Sequence, residues 1–383
     1  MKLQVVLNKN LKSIKKIKDL SGKRVLVRVD FNVPIKDGVI EDDFRIKKAL
    51  PTINFLRDAG ARVILLSHLG KGEMSLKLVA DSLNTHLPVK FVQKIVGMEA
   101  EAEVKNMIDG EVILLENLRM HKGEQGADKL FAMSLAKLGD IYVNDAFSVS
   151  HREDASIVLV PKMLPSYAGF QLEDEVKHLS KPFSKPKHPF LFILGGAKFS
   201  TKMPLIEKYL TLSDQVFIGG ALLNDFLETE GLEVGDSLVD DTISVSKEIL
   251  ENKKLVLPVD VLVKDEATGV LTNKKVSEVK KHEIILDIGE ESVKMIEPLI
   301  KDAKLILWNG PMGKYEELGG GATKKILDLV AKSKAETIIG GGDTVEIISE
   351  AKMEDKFSFV STGGGATLDF LANGTLPGLE ALQ

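Results

Sequence analysis

Two α/β domains, each a doubly wound parallel sheet, are the fold class that this 383-residue sequence predicts. Three observations carry that expectation. Short β-branched runs alternate with longer helical stretches, most of the runs are continuously apolar, and a proline-rich break falls near the middle of the chain. Continuous apolarity is what strands covered on both faces by helices require, whereas strands with one wet face alternate. Alternation of β and α on this scale argues for parallel sheets with helical crossovers.

Taken in order, strands are expected at 23–29, 62–67, 111–115 and 140–143, then at 189–194, 215–218, 304–307, 337–339 and 357–360. Helical spacing of apolar residues is clear at 77–86 and 323–332. The stretch 169–181 reads as an amphipathic helix with Phe170, Leu172, Val176 and Leu179 on its apolar side. It runs into Lys181-Pro182-Phe183-Ser184-Lys185-Pro186-Lys187, where prolines forbid a continuous helix because they lack the amide N–H. The domain boundary is therefore placed at 170–188. No internal repeat or low-complexity tract interrupts the pattern.

Composition narrows the function classes. A chain of this length suggests two or three domains at about 150 residues each. Its 44% hydrophobic content is that of a globular protein, and 51 basic against 56 acidic residues give a net charge of −5. That balance is no footprint for nucleic acid. Cysteine is absent, which excludes disulfides, thiolate catalysis and cysteine metal sites. The amino terminus shows no apolar leader core, and no uncharged stretch approaches the ~18 residues a membrane helix needs. A cytoplasmic protein without membrane contact is the expectation.

The halves differ in chemistry. All seven arginines (24, 28, 45, 57, 62, 119 and 152) lie before residue 153, while 21 of 32 glycines follow residue 170. Arginine grips carboxylate and phosphate through a planar fork, and glycine clusters at strand ends let backbone amides approach phosphates. The first half thus suits a small anion and the second a nucleotide. Neither the Gly-x4-Gly-Lys-Ser/Thr loop nor Gly-x-Gly-x-x-Gly occurs, which removes the usual phosphate-loop and dinucleotide readings.

In the second half, Gly195-Gly196-Ala197-Lys198 ends a strand, with Lys202 four residues on. Lysines at that spacing share a helix face and would both reach a ligand at the helix N-terminus. Gly340-Gly341-Gly342-Asp343-Thr344 ends another, where amides suit phosphates and Asp343 suits Mg²⁺. An N-cap role for Asp343 is the plain alternative. Trp308-Asn309-Gly310-Pro311-Met312-Gly313, with Glu316 close behind, reads either as a ribose contact or as a tight turn with a core tryptophan. In the first half, Arg28, Asp30 and Asn32 alternate along one strand and fall on one face. Three buried polar groups side by side need partners, either each other or a ligand. His68 ends the next strand, where a lone histidine is usually structural and counts only in company; Arg119 and His151-Arg152 also sit just beyond strands, where ligands of open α/β sheets bind.

Together these segments resemble the phosphoglycerate kinase family, collinearly over nearly the whole chain. The resemblance is carried by Arg28-Val29-Asp30-Phe31-Asn32-Val33-Pro34, Ser67-His68-Leu69-Gly70, Leu114-Leu115-Glu116-Asn117-Leu118-Arg119, and Val143-Asn144-Asp145-Ala146-Phe147 with His151-Arg152. It continues in Leu194-Gly195-Gly196-Ala197-Lys198, Leu257-Pro258-Val259-Asp260, the tryptophan and triple-glycine segments above, and Ser361-Thr362-Gly363-Gly364-Gly365-Ala366-Thr367.

The resemblance implies two Rossmann-like domains with a cleft and a hinge. They would be a 3-phosphoglycerate domain at 1–170, a linking helix and hinge at 171–188, an Mg-nucleotide domain at 189–367 and a returning tail at 368–383. It implies reversible glycolytic phosphoryl transfer between 1,3-bisphosphoglycerate and ADP, giving 3-phosphoglycerate and ATP, by a monomer. By motif, the phosphoglycerate contacts would be Asp30, Asn32, Arg45, His68, Lys71, Arg119 and Arg152. The nucleotide contacts would be Gly196, Ala197, Lys198, Lys202, Gly220, Asn309, Gly310, Glu316, Gly341, Gly342, Asp343 and Thr344, with Mg²⁺ at Asp343. Arg45, Lys198, Lys202, Gly364 and Gly365 would act on the transferred group.

Four positions depart from the family pattern. Lys71 stands where an arginine is usual, and Ser148-Val149-Ser150 replaces a Gly/Ala-rich stretch. Glu153-Asp154 puts two acids beside an anion site, and Gly219-Gly220-Ala221-Leu222-Leu223-Asn224 lacks a third glycine.

Overall fold

The computed structural model describes residues 11–240 and 245–383; the terminal residues read for a leader lie outside the described residues. Contacts divide the chain into two units, one running to Lys177 and including Asn373–Gln383, the other His178–Ala372.

The first unit is built on six parallel strands in the spatial order Lys90–Val92, Val112–Leu115, Arg62–Leu66, Arg24–Arg28, Ile141–Asn144 and Ser166–Ala168. From Arg24–Arg28 the chain first builds toward Arg62–Leu66 and only later crosses to Ile141–Asn144, so the direction of winding reverses at that strand. Its apolar run is fully buried, as are Val63, Ile64 and Leu65 beside it. Helix Phe44–Asp58 presents Ile46, Ala49, Ile53 and Leu56 at helical spacing to the same core. Each of the two isoleucines and the leucine contributes roughly 1.5–3 kcal/mol on burial. The carboxyl-terminal segment packs here as well: the Gly378 amide donates to Ser150 O at 2.8 Å, and Leu379 is buried.

The second unit also has six parallel strands, ordered Leu255–Val256, Gln215–Ile218, Phe190–Leu194, Leu305–Asn309, Glu336–Gly340 and Phe359–Val360. Here the winding reverses between Phe190–Leu194 and Leu305–Asn309, and open sheets of this type bind ligands at the carboxyl end of such a pair. Trp308 is fully buried, and its indole N–H donates to Gly310 O at 2.8 Å. The core-tryptophan reading holds for this residue.

All nine expected strands are present, with ends shifted by one or a few residues. Three features differ from the expectation. The edge strands Lys90–Val92, Ser166–Ala168 and Leu255–Val256 are only two or three residues long and give too short an apolar run to be read. A three-stranded antiparallel sheet of Leu271–Lys275, Asp260–Asp265 and Glu283–Ile288 was not anticipated, because its outer strand is mostly exposed and polar. The third concerns Pro182. The helix Phe170–Ser184 passes through it and stops before Pro186. A proline in the last turn removes a bond that is nearly the helix's last, and Lys185 N still reaches Lys181 O at 3.3 Å.

Candidate active site

The carboxyl ends of the first sheet carry an arginine basin. Where strand Arg24–Arg28 ends, the Arg28 guanidinium is completely buried. Its Nε donates to Ser156 Oγ at 2.9 Å, its Nη1 to Val29 O at 2.5 Å, and its Nη2 lies 3.3 Å from His68 Nδ1. Asp30 accepts from Arg45 Nη1, from Ser148 Oγ, and from the Asn32 amide at 3.0 Å. Asn32 Oδ1 accepts the Gly70 amide at 2.8 Å. The strand ends at Arg28, so Asp30 and Asn32 lie in the loop beyond it and not on one strand face as the alternation suggested; each of the three is nonetheless hydrogen-bonded to its neighbours.

Asn117 shapes the next loop. Its Oδ1 accepts the amides of Leu69 at 3.2 Å and Arg119 at 3.1 Å, while its Nδ2 donates to Leu69 O and Met74 O, both at 2.8 Å. It therefore holds Arg119, which sequence reasoning named, without itself having been singled out. Arg119 Nη1 donates to Gly70 O at 2.5 Å, but its Nε and Nη2 are buried and partnerless. Leaving buried donors unpaired costs about 1–3 kcal/mol each. An anion bound there would supply the missing acceptors.

Electrostatics agree with that fit. Burial is the largest influence and would raise the Asp30 carboxyl, but Arg45, first among several opposing contacts that include Ser148 and the Asn32 amide, joins them in holding Asp30 below the usual carboxylate range. Burial, then Arg28, push His68 down to about 3, with Arg119 and Arg152 adding to the effect and Asp30 opposing it. Arg152 and Lys71 are exposed. Of the departures, Ser148 is used to hold Asp30, Asp154 is buried, and Glu153 is exposed.

The second sheet carries a cavity of about 420 Å³ at its switch point. The Gly195 amide donates to Asn309 O at 2.9 Å and the Gly196 amide to Pro311 O at 2.8 Å, locking the two strand ends together. This approach is too close for side chains: a Cβ on Gly310, at φ +87°, would stand 2.4 Å from Gly195 O. At Gly220, with φ +64°, it would stand 2.5 Å from the Gly196 nitrogen. Gly196, Ala197, Gly220, Glu316 and Asp343 line the cavity. Asn309 Nδ2 and Thr344 Oγ1, beside it in sequence, are buried without partners. Gly341 and Gly342 open the helix Gly342–Glu350, and Gly364 and Gly365 open Gly365–Asn373. The unanticipated antiparallel sheet supplies another wall through Ile284, Leu286 and Asp287.

The shared helix face expected for Lys198 and Lys202 is not formed. Lys198 is exposed and extended at the N-cap of helix Phe199–Leu212, so only Lys202 lies on the helix. Lys202 is buried, donates to Gly195 O, and is lowered by burial to about 8. Asp260, from the Leu257–Asp260 motif, has a structural task. It accepts from the Ser292 amide at 2.8 Å, Ser292 Oγ at 2.6 Å and the Glu291 amide at 3.0 Å, capping helix Glu290–Asp302.

A basin of arginines with unsatisfied donors on one doubly wound unit, and a glycine-walled cavity on another, define a two-unit α/β phosphotransferase. Comparison with known proteins makes the assignment particular. The family model for phosphoglycerate kinase matches residues 14–374, and the chain belongs to that family. It is 45% identical to the phosphoglycerate kinase of Pseudothermotoga lettingae over 95% of this chain and 96% of that protein. It is 43% identical to that of Dictyoglomus turgidum, again over 95% and 96%. The Coxiella burnetii phosphoglycerate kinase structure matches with a TM-score of 0.82 at 36% identity, covering 97% of this chain and 98% of that one. The Pyrococcus horikoshii structure matches with 0.85 at 30% identity and the same coverage.

Proposed function

We propose that the arginine basin holds 3-phosphoglycerate or 1,3-bisphosphoglycerate and that the glycine-walled cavity holds ADP or ATP. The reaction is the family's glycolytic one, reversible phosphoryl transfer between 1,3-bisphosphoglycerate and ADP. The observation that carries the basin assignment is Arg119, with two buried nitrogens whose N–H donors lack an acceptor.

The acceptor in the reverse direction is a carboxylate, ionised near neutral pH, so no general base is required. Catalysis is then positioning and charge stabilisation. Arg119 and His68 orient the phosphoglycerate, and Arg45, held toward the basin by Asp30, faces the group in transfer. Gly196, Ala197 and the amides opening helix Gly342–Glu350 cradle the phosphates, with Lys198 and Lys202 adding charge. Gly364 and Gly365 aim a further helix end at the transferred group. The donor set fits Mg²⁺: Asp343 offers one exposed carboxylate at the cavity wall, enough when phosphates supply further ligands. When bound there with the nucleotide, the ion neutralises phosphate charge. Transfer requires both substrates to meet, and hinge bending near 171–188 is the motion proposed for it. A cytoplasmic monomer acting on small molecules, without nucleic acid, completes the reading; the net charge of −5 supports the last point.

Calorimetric titration of 3-phosphoglycerate tests it. The parent should bind with one site, and Arg119→Met should weaken binding at least tenfold, the size of one charge-assisted hydrogen bond. Equal affinity in both would remove the basin as the site.

A further inference from the structure

The buried face of the basin contains a group whose position the transfer chemistry does not itself explain. Glu124 is completely buried, and its carboxylate accepts Ser156 N at 3.0 Å and Ser156 Oγ at 2.5 Å. Ser156 Oγ in turn accepts Arg28 Nε at 2.9 Å, and Glu124 Oε1 lies 3.9 Å from Arg28 Nη2. The guanidinium so held places Nη2 against His68 Nδ1 at 3.3 Å. Arginine has only donors. At that distance Nδ1 must present its lone pair, because an Nδ1–H would point at another N–H.

We infer that Arg28, anchored through Ser156 by Glu124, is a positioning residue that fixes His68 as the Nε2–H tautomer, so that the imidazole meets the substrate as a neutral hydrogen-bond donor. The inference rests on the reading of the basin as the phosphoglycerate site and adds the state of one of its ligands. Four charged groups act most strongly on His68. Arg28, Arg119 and Arg152 disfavour the imidazolium, while Asp30, whose Oδ1 is 3.8 Å from Nδ1, favours it but is already engaged by Arg45 and Ser148. Burial adds to the first set. A neutral donor keeps its hydrogen bond through the working pH range, where an ordinary histidine would change charge.

The test is nitrogen-15 NMR of the His68 ring in the ligand-free full chain. The expected result is the Nε2–H pattern, unchanged from pH 5 to pH 9. An Nδ1–H pattern, or a titration centred between pH 5 and 8, overturns the inference whatever the substrate affinity. Because no ligand is present, failure here is distinguishable from failure of the basin assignment, which the calorimetric titration reports separately.

The double variant Arg28→Met with Glu124→Gln removes the guanidinium without stranding a buried carboxylate. It should admit the Nδ1–H tautomer of His68 and raise the 3-phosphoglycerate KM about tenfold with the ATP KM unchanged. A ring that stays wholly Nε2–H in that variant contradicts the role of Arg28. If the double variant does not fold, a comparison of His68→Gln with His68→Asn decides. The glutamine amide nitrogen can occupy the Nε2 position and should retain more substrate affinity; the reverse order contradicts the assignment.

Discussion

The Lys202 ammonium donates to the carbonyl oxygen of Gly195, the neighbour of Gly196, which lines the glycine-walled cavity. A Cβ on Gly196 would stand 2.2 Å from Lys202 Nζ, so the glycine is what allows the lysine to sit there. Burial lowers this lysine to about 8, with Asp343 opposing the shift.

That relationship gives a pH prediction. The ammonium loses its charge as pH rises through about 8, so ADP affinity should fall above that pH. Phosphate binding raises the lysine's pKa, so binding at pH 8 should take up protons. Calorimetry in two buffers of different ionisation enthalpy measures that uptake, and Lys202→Met should abolish it. For stability the sign is opposite. A lysine lowered in the folded state gives an unfolded chain that binds more protons between about 8 and the ordinary lysine value, so stability rises with pH across that window.

Arg45 should not be replaceable by a point charge. Its fork pairs with Asp30 and must still face the substrate. Arg45→Ala and Arg45→Lys are both expected to lose about 10²–10³ in kcat, the usual cost of one transition-state donor, while retaining ADP binding. Steady-state kinetics with lysine restoring full turnover would reduce Arg45 to general charge.

Lys71 is exposed beside Gly70, whose carbonyl receives Arg119. Acting by attraction alone, it should affect binding and not turnover. Lys71→Ala is expected to raise the 3-phosphoglycerate KM several-fold at low salt. The difference should vanish as the Debye length shrinks from ~10 Å at 0.1 M toward ~3 Å at 1 M. Superimposable Michaelis curves at low salt would show that this lysine does nothing.

Asp260 belongs to the fold and not to the chemistry. Besides its bonds to Ser292 and Glu291 it accepts Asn273 Nδ2 at 2.8 Å. Burial opposes its ionisation, but these donors outweigh burial and hold its carboxyl below the usual range, so its contribution to stability is lost as pH falls through that lowered value. Asp260→Ala should cost about 2 kcal/mol in urea unfolding, the scale of a lost cap, with kcat unchanged. An equal melting midpoint in the two proteins would refute the capping role.

Much of this was legible from residues alone. The parallel strands announced themselves because fully buried strands must be apolar throughout, as at Phe190–Leu194. The strand-end residues Arg119 and Arg152 followed from where open sheets bind ligands, and Asp343 from the glycines that precede it. What was hidden depends on distance across the fold. The wall formed by Ile284, Leu286 and Asp287 lies on an antiparallel sheet whose outer strand is polar and gives no apolar signal. Glu124 sits 96 positions from Arg28 in the numbering, so nothing local could mark it as the anchor of a basin residue. The Lys198–Lys202 spacing misled because helix periodicity was applied one residue before the helix begins.

The most direct test of the account is a crossed kinetic measurement of phosphoryl transfer from Mg-ATP to 3-phosphoglycerate, comparing the parent with Arg119→Met and Asp343→Asn. The two-site account predicts that Arg119→Met raises the KM for 3-phosphoglycerate about tenfold or more and leaves that for ATP within about twofold. Asp343→Asn should do the reverse, with an accompanying shift in the magnesium dependence. If Arg119→Met impaired ATP and left 3-phosphoglycerate untouched, or if the parent transferred no phosphoryl group at all, the assignment of anion to the first unit and nucleotide to the second would be contradicted.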